Sequence, residues 1–129
     1  MEYFCLVGRI LFGGFFILAG IDHFTHVSMM ASYTASKKIP APKLAVLGSG
    51  VLAILGGISV VFGVQPTWGV ILLVIFLVPV TIGMHNYWAD RDPQARQMNQ
   101  AMFKKNVALL GAALMFLAIP QPWPLSLGW

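Results

Sequence analysis

Polar and ionisable side chains gather in this sequence at the points where long apolar stretches end or begin. Those with the chemistry to bind a ligand or to move a proton are Asp22, His23, His26, His85, Asn86, Lys105 and Asn106. An imidazole takes up and releases a proton near neutral pH, and a nearby carboxylate can orient it. Asp22 and His26 are one helical turn apart and are expected to pair. These residue types therefore predict hydrogen bonding and proton transfer to a ligand.

Several other kinds of chemistry lack the residues they need. Cys5 is the only cysteine, so the sequence has neither an internal disulfide nor a Cys-x-x-Cys dithiol. No phosphate-binding loop, nucleotide fingerprint or nucleophile beside a base is present. His23 and His26 supply at most two ligands, so no metal site is predicted. Haem held by His23 and His85 is a weaker alternative, since both rings would have to face one iron.

The composition places the chain in a membrane. Of its 129 residues, 58% are hydrophobic and 9% are charged, whereas about a quarter of the residues in a soluble domain are charged. A spanning helix needs about 20 apolar residues, and four stretches approach this length: 4–24, 44–63, 68–88 and 104–121. We therefore predict one all-α transmembrane domain over residues 1–129, a four-helix up-down bundle.

Local signals refine the ends of these spans. The first stretch contains Arg9 and has no basic segment before it, so it is interpreted as a permanent helix rather than a cleaved signal peptide. Asp92 followed by Pro93 is a typical helix start, which predicts a short interfacial helix before the last span. Trp123 and Trp129 are expected at the membrane surface beyond that span.

The basic residues indicate how the bundle is oriented. Seven of the eight lie in the first and third loops: Lys37, Lys38, Lys43, Arg91, Arg96, Lys104 and Lys105. By the positive-inside rule these two loops are cytoplasmic and both termini lie on the opposite side. The net charge of +4 is therefore interpreted as a topology signal that also contacts anionic lipid, and no nucleic-acid partner is predicted.

Small and polar residues mark the faces that should pack. A helical projection of the first span places five residues on one stripe: Arg9, Gly13, Phe16, Gly20 and His23. The small residues would let a neighbouring helix approach closely. In the second span Ser49, Ala53 and Gly57 recur every four residues and predict a similar seam. Arg9 has two interpretations: its side chain snorkels to the headgroups, or it belongs to a functional site.

The up-down order should bring the polar ends together. The ends of spans one and three and the start of span four would share one layer, which places the histidines near Lys105 and Asn106. Pro79 lies one to two turns before His85 and should kink the third span. Lys105 meets the positive end of the last helix and should prefer an anion, such as Asp22, Asp90, a lipid phosphate or a ligand.

Several of these motifs resemble the DoxX family of small bacterial membrane proteins. They are Gly20-Ile-Asp-His23-Phe24, Ser36-Lys-Lys-Ile-Pro-Ala-Pro42, Gly56-Gly57, Phe76-Leu-Val-Pro-Val, Met84-His85-Asn86-Tyr-Trp88-Ala-Asp-Arg-Asp-Pro-Gln and Phe103-Lys-Lys-Asn106-Val-Ala-Leu-Leu-Gly111. The resemblance implies a four-helix protein of the bacterial inner membrane. It also implies a link to quinone-dependent sulfur oxidoreductases and other redox assemblies. The family's characteristic positions are occupied here by His23, His85, Trp88, Lys105 and Asn106.

Two functional hypotheses follow. In the first, the chain is a subunit of a quinone-linked redox assembly. His85 or His23 bonds a quinone oxygen and relays its proton, Asp22 orients the imidazole, and Trp88 and Tyr87 line the ring. Quinone is the one candidate cofactor, and Asn86, Lys105, Asn106 and Arg9 complete the candidate ligand-binding set.

In the second hypothesis, the protein is a non-catalytic scaffold that packs against a partner membrane subunit through its glycine seams. His85, Asn86 and Lys105 would then only tie helix ends to one another and to lipid phosphate. Whether the chain has an enzymatic activity of its own is left open by the sequence.

Overall fold

The structure, a computed structural model, describes residues 1–128. Within these residues the chain is helical, with no strand. The elements in order are α1 (Glu2–Thr25), α2 (Val27–Ser36), α3 (Pro42–Phe62), α4 (Pro66–Met84), a short 3-10 turn (Tyr87–Ala89) and α5 (Pro93–Phe116). Of the two tryptophans expected at the membrane surface, Trp123 is buried and Trp129 lies outside the described residues.

The helix starts follow from the local sequence. Pro42 and Pro66 occupy the first turns of α3 and α4, where a missing amide hydrogen costs nothing. At the start of α5 the carboxylate of Asp92 accepts a hydrogen bond of 3.0 Å from the amide of Ala95. At the end of α3, Gly63 adopts φ 69°, a left-handed conformation that favours glycine.

Within the described residues, three helical segments are long and apolar enough to cross a membrane: Glu2–Thr25, Pro42–Phe62 and Pro66–Ala89, the last of which comprises α4 and the 3-10 turn after it. They correspond to the first three predicted spans. The short helix expected before the last span begins at Pro93 as predicted, but it is not a distinct element, since α5 runs unbroken from Pro93 to Phe116. Neither proline nor glycine interrupts it between Gln94 and Leu110. It also ends five residues before the predicted limit at residue 121.

The interface between α1 and α3 is a glycine contact. A Cβ built on Gly13 would lie 2.7 Å from the carbonyl oxygen of Gly57, and one on Gly20 would lie 2.7 Å from that of Gly50. Only the absence of side chains permits such an approach of two helix backbones. The predicted stripe on α1 is confirmed, because its buried residues are Arg9, Gly13, Phe16 and Gly20. These glycines are therefore used inside the chain rather than for a partner.

Aromatic contacts close the bundle around Phe16, which is fully buried. Its ring lies 6.0 Å from that of Phe76 on α4. The ring of Phe12 lies 4.7 Å from that of Phe116 on α5. Along α1 the bundle has two ends, one at His23 and one at Arg9. They are fourteen residues apart, or about 21 Å, and are called the His85 end and the Arg9 end below.

Candidate functional site

A cavity of about 550 Å³ opens at the His85 end and is lined by residues of all five α-helices. Its walls are mainly apolar, and its few polar groups stand among them. Apolar lining residues include Met29, Met30, Val46, Phe76, Val80 and Met84; the polar ones are His23, Tyr33, Thr34, Ser49, His85, Lys105 and Asn106. An apolar pocket with a few convergent polar groups is the usual form of a small-molecule site.

Helix α2 explains why the cavity is enclosed on the side of the first loop. The chain turns at His26 and then runs helically over Val27–Ser36. Met29, Met30 and Tyr33 of this helix line the cavity. The tyrosine hydroxyl also donates to the carbonyl oxygen of Met84, at 3.4 Å, which links α2 to the end of α4.

The tautomer of His85 follows from its neighbours. Asn99 donates from its amide nitrogen to Asp90 at 2.8 Å, and a carboxylate can only accept. The amide oxygen of Asn99 therefore faces His85 Nδ1, 3.1 Å away. Nδ1 must carry the hydrogen, and in the neutral ring Nε2 then keeps a lone pair. His85 is thus set to accept a hydrogen bond from a ligand, or to take up its proton.

A polar network fixes the elements around His85. Lys37 donates at 2.9 Å to both Asp90 and Asn86, and it forms an ion pair with Asp90. Asn99, which is 6% exposed, also donates to the hydroxyl of Tyr33 at 2.9 Å. The hydrogen bond from Asn99, followed by that from Lys37, lowers the pKa of Asp90 below its ordinary value. The network ties together α5, the first loop and the segment after α4.

His23 is held in a similar way by its own helix. Its Nδ1 lies 2.7 Å from the carbonyl oxygen of Ala19, which can only accept, so Nδ1 carries the hydrogen. The imidazole packs against Phe76, with the ring centroids 5.8 Å apart. His23 and His85 therefore line one cavity with the same tautomer. Within residues 1–128 no three His, Cys, Asp or Glu side chains are grouped to hold a metal ion.

Lys105 and Asn106 supply the polar side of the cavity that belongs to α5. The ammonium of Lys105 lies 3.5 Å from the sulfur of Met102 and 4.9 Å from the ring centroid of Phe15. Its expected pairing with Asp22 or Asp90 is wrong, because the single ion pair within residues 1–128 joins Asp90 to Lys37. Asn106 is 5% exposed. Because no carboxylate within residues 1–128 pairs with it, the ammonium of Lys105 could bind a negatively charged oxygen of a ligand.

Several predicted residues lie outside the cavity, among them Asp22, His26, Asn86 and Trp88. Asp22 and His26 are exposed and do not pair through their side chains; His26 Nδ1 instead contacts the hydroxyl of Thr25 at 2.9 Å. α1 ends at Thr25, and His26, with φ −118° and ψ 33°, bonds Asp22 through its backbone amide instead, at 2.9 Å. Trp88 is 53% exposed.

The aromatic side chains after α4 form a cluster of their own. Tyr87 and Trp88 each pack edge-on against Phe103, with ring centroids 5.5 and 5.6 Å away. Neither of them lines the cavity. The expectation that they flank a ligand ring therefore does not apply to this cavity. Their contacts instead hold the segment after α4 against the first half of α5.

Arg9 lies at the other end of the bundle and is 3% exposed, so the snorkelling interpretation is wrong. The segment after α5 folds over it, because the amide of Leu127 donates at 2.8 Å to the carbonyl oxygen of Phe62. The guanidinium donates at 3.1 Å to the carbonyl oxygen of Leu125. It lies 5.9 Å from the ring centroid of Trp123.

Sequence reasoning missed Lys37, Asn99 and Tyr33 as parts of the site. In the sequence Lys37 indicates only the topology, because its partner Asp90 lies 53 positions away. A usable signal existed for Asn99. It precedes Asn106 by seven residues, or two helical turns, so both amides share one face of α5. Two buried asparagines on the face of a helix that meets the bundle indicate a polar contact.

The fold and cavity define a small helical membrane protein with an apolar pocket at one end. The model of the DoxX family matches residues 4–86, which include α1 from Phe4 onward, α2 to α4, His23, His85 and Asn86. The chain therefore belongs to the DoxX family. No curated protein and no solved structure matches it significantly.

Proposed function

We propose that the protein is a subunit of a quinone-linked redox assembly in the bacterial inner membrane, and that the cavity at the His85 end binds the quinone or quinol. The observation that carries the proposal is the tautomer of His85, which presents a lone pair beside an apolar cavity of about 550 Å³. A quinone ring with an isoprenoid tail needs this combination of apolar wall and few polar groups.

The chain's residues have separate roles in this proposal. His85 accepts a hydrogen bond from a ligand hydroxyl and can hold the proton, since its Nδ1 stays bonded to Asn99 in either state. Asp90, on the far side of Asn99, stabilises the added positive charge. Lys105 offers its charge to a second ligand oxygen. A bound quinol would supply the protons and electrons, and the electrons would leave to a partner subunit.

The orientation in the membrane is part of the proposal. The second half of α5 is apolar and packs on α1 through Phe116 and Phe12, which supports α5 as a fourth span in an up-down bundle. The basic loops would face the cytoplasm, with the termini in the periplasm. The cavity would then lie near the cytoplasmic surface, where a quinone headgroup exchanges protons with water.

Binding of a short-chain quinone to the purified protein in detergent tests the function. Replacement of His85 by Ala should weaken the affinity about 10-fold, the usual effect of one lost hydrogen bond in an apolar site. The matched control is His26→Ala, which removes an exposed imidazole outside the cavity. Equal affinity for wild type and His85→Ala, with both proteins folded, would contradict the role of His85.

The scaffold function is the second candidate, and a separate set of glycines favours it. A Cβ added to Gly14, Gly48 or Gly111 would meet nothing within 4 Å. These small residues lie on α1, α3 and α5 and could receive helices of a partner. Under this hypothesis Gly48→Leu would abolish assembly with the partner subunit and leave quinone binding unchanged.

A further inference from the structure

A second cavity, of about 380 Å³, lies at the Arg9 end between α1 and the C-terminal part of the chain. Its walls are Cys5, Gly8, Phe12, Phe116, Ile119 and Trp123, and Arg9 also lines it. This cavity shares no lining residue with the one at the His85 end. It is therefore a separate site in the fold.

Two of the residues that line this cavity carry buried donors without acceptors. The Nε and Nη1 atoms of Arg9 and the indole Nε1 of Trp123 are buried and have no hydrogen-bond partner among the described residues. Only Nη2 of the guanidinium is used, by the carbonyl oxygen of Leu125. A buried donor left unpaired is costly, and native proteins rarely keep three such donors together.

The charge of Arg9 is also uncompensated within residues 1–128. A guanidinium stays protonated even when buried. Asp22, Asp90 and Asp92 belong to the His85 end. Glu2, in the first turn of α1, is exposed and forms no ion pair with Arg9. The backbone makes room for the guanidinium, because a Cβ on Gly63 would lie 2.6 Å from Nη1.

We propose that this cavity binds an amphiphile with an oxyanion headgroup, a carboxylate or a phosphate on a hydrocarbon chain. The oxyanion would accept a charge-assisted hydrogen bond from the guanidinium of Arg9, whose Nε has no partner among the described residues. Trp123 would add its indole donor. The hydrocarbon chain would lie against Phe12 and Phe116, and it would enter beside Gly8, which is exposed.

Four probes separate the headgroup from the tail: dodecyl phosphate, dodecanoate, dodecanol and inorganic phosphate. Their dissociation constants are measured by native mass spectrometry of the full chain released from an uncharged detergent. Dodecyl phosphate or dodecanoate should bind one per chain and at least 10-fold more tightly than dodecanol or inorganic phosphate. If dodecanol binds as tightly as dodecyl phosphate, the proposed oxyanion headgroup is overturned. If inorganic phosphate binds as tightly as dodecyl phosphate, the proposed hydrocarbon chain is overturned.

Substitutions locate the site. Arg9→Gln should weaken binding of dodecyl phosphate about 10- to 100-fold, the range for charge-assisted hydrogen bonds. Arg96→Gln, which changes an exposed arginine at the other end, should leave it unchanged. Should Arg9→Gln fail to fold, Trp123→Phe keeps the ring, loses the indole donor and should weaken binding about 3-fold. Unchanged binding in the folded Arg9 or Trp123 variant would overturn the proposal.

A steric variant provides an independent readout. Gly8→Leu places a side chain at the cavity rim, where a Cβ meets nothing within 4 Å, so the fold should tolerate it. The leucine side chain should block the binding of dodecyl phosphate in the cavity. Gly14→Leu, also in α1 with open space around its Cβ but outside the cavity, is the matched control. Equal binding by these two variants would contradict the location of the site.

Discussion

The imidazole Nδ1 of His85 lies 3.1 Å from the amide oxygen of Asn99. The two residues are fourteen positions apart, at the end of α4 and in the first half of α5. Because the amide nitrogen of Asn99 faces Asp90, the contact determines which imidazole nitrogen carries the hydrogen. It thus connects the polar network around Asp90 with the cavity at the His85 end.

Replacement of Asn99 by Ala should lower the free energy of unfolding by about 2–4 kcal/mol, since it removes hydrogen bonds to His85, Asp90 and Tyr33 together. Chemical denaturation in detergent, followed by circular dichroism, measures the change. The exposed neighbour Gln97→Ala is the control and should shift stability by less than about 0.5 kcal/mol. A similar small effect for both variants would show that the network contributes little.

The Lys37 to Asp90 ion pair should make stability depend on pH in the acid range. Hydrogen bonds from Asn99 and Lys37 lower the pKa of Asp90 in the folded protein. A lowered carboxyl pKa stabilises the fold above the unfolded value, about 3.9, and this stabilisation is lost as pH falls through the folded value. Wild type should therefore exceed Asp90→Asn in stability at pH 7, with the difference shrinking below about pH 4.

Unfolding midpoints of the two proteins between pH 7 and pH 3 measure this difference. Asp22→Asn is the control, since its carboxylate is exposed and makes no ion pair within the described residues. The unfolding midpoint of Asp22→Asn should equal that of the wild type at every pH. If the difference in unfolding midpoint between wild type and Asp90→Asn stays constant down to pH 3, the lowered pKa of Asp90 is contradicted.

Two adjacent glycines of α1 should respond in opposite ways to alanine. At Gly13 a Cβ would lie 2.7 Å from the carbonyl oxygen of Gly57, so Gly13→Ala should destabilise the protein by about 1–3 kcal/mol. At Gly14 the Cβ meets nothing within 4 Å, and Gly14→Ala should be neutral or stabilising by up to about 1 kcal/mol. Thermal unfolding of both variants measures the contrast. Equal effects would show that α1 and α3 do not touch here.

Filling the cavity at the His85 end should abolish quinone binding without any change to its polar groups. Ala45 lines the cavity, and Ala45→Phe would occupy part of the space for a ring. We expect at least a 10-fold loss of affinity because the ligand and the new ring compete for one volume. Ala35→Phe, on the exposed face of α2, should bind quinone as wild type does. Unimpaired binding by Ala45→Phe would place the ligand elsewhere.

The parts of this fold that depend on local sequence could be predicted. The stripe from Arg9 to Gly20 on α1, the helix start at Asp92 and the proline at the start of α3 follow from helical spacing and from backbone chemistry. Hydropathy likewise identified three spans. The continuity of α5 was missed because its polar first half suggested an element separate from the membrane.

The parts that depend on distant contacts could not be predicted. Nothing near Arg9 in sequence indicates that residues 123–127 fold over it and prevent snorkelling. In the same way, the partner of Lys37 lies on a segment reached only after two further helices. The composition of the candidate site was therefore predicted in part: His23, His85, Lys105 and Asn106 line the cavity, while Asp22 and Trp88 do not.

Photolabelling with a short-chain quinone that carries an azido group shows where quinone binds on the protein. After irradiation, peptide mass spectrometry locates the labelled residues, and an excess of unmodified quinone provides the competition control. If quinone binds in the cavity at the His85 end, competed label is expected on cavity residues such as Met30 and Met84. Label confined to exposed apolar residues such as Leu18 and Leu55, or label that unmodified quinone does not displace, would contradict binding in this cavity.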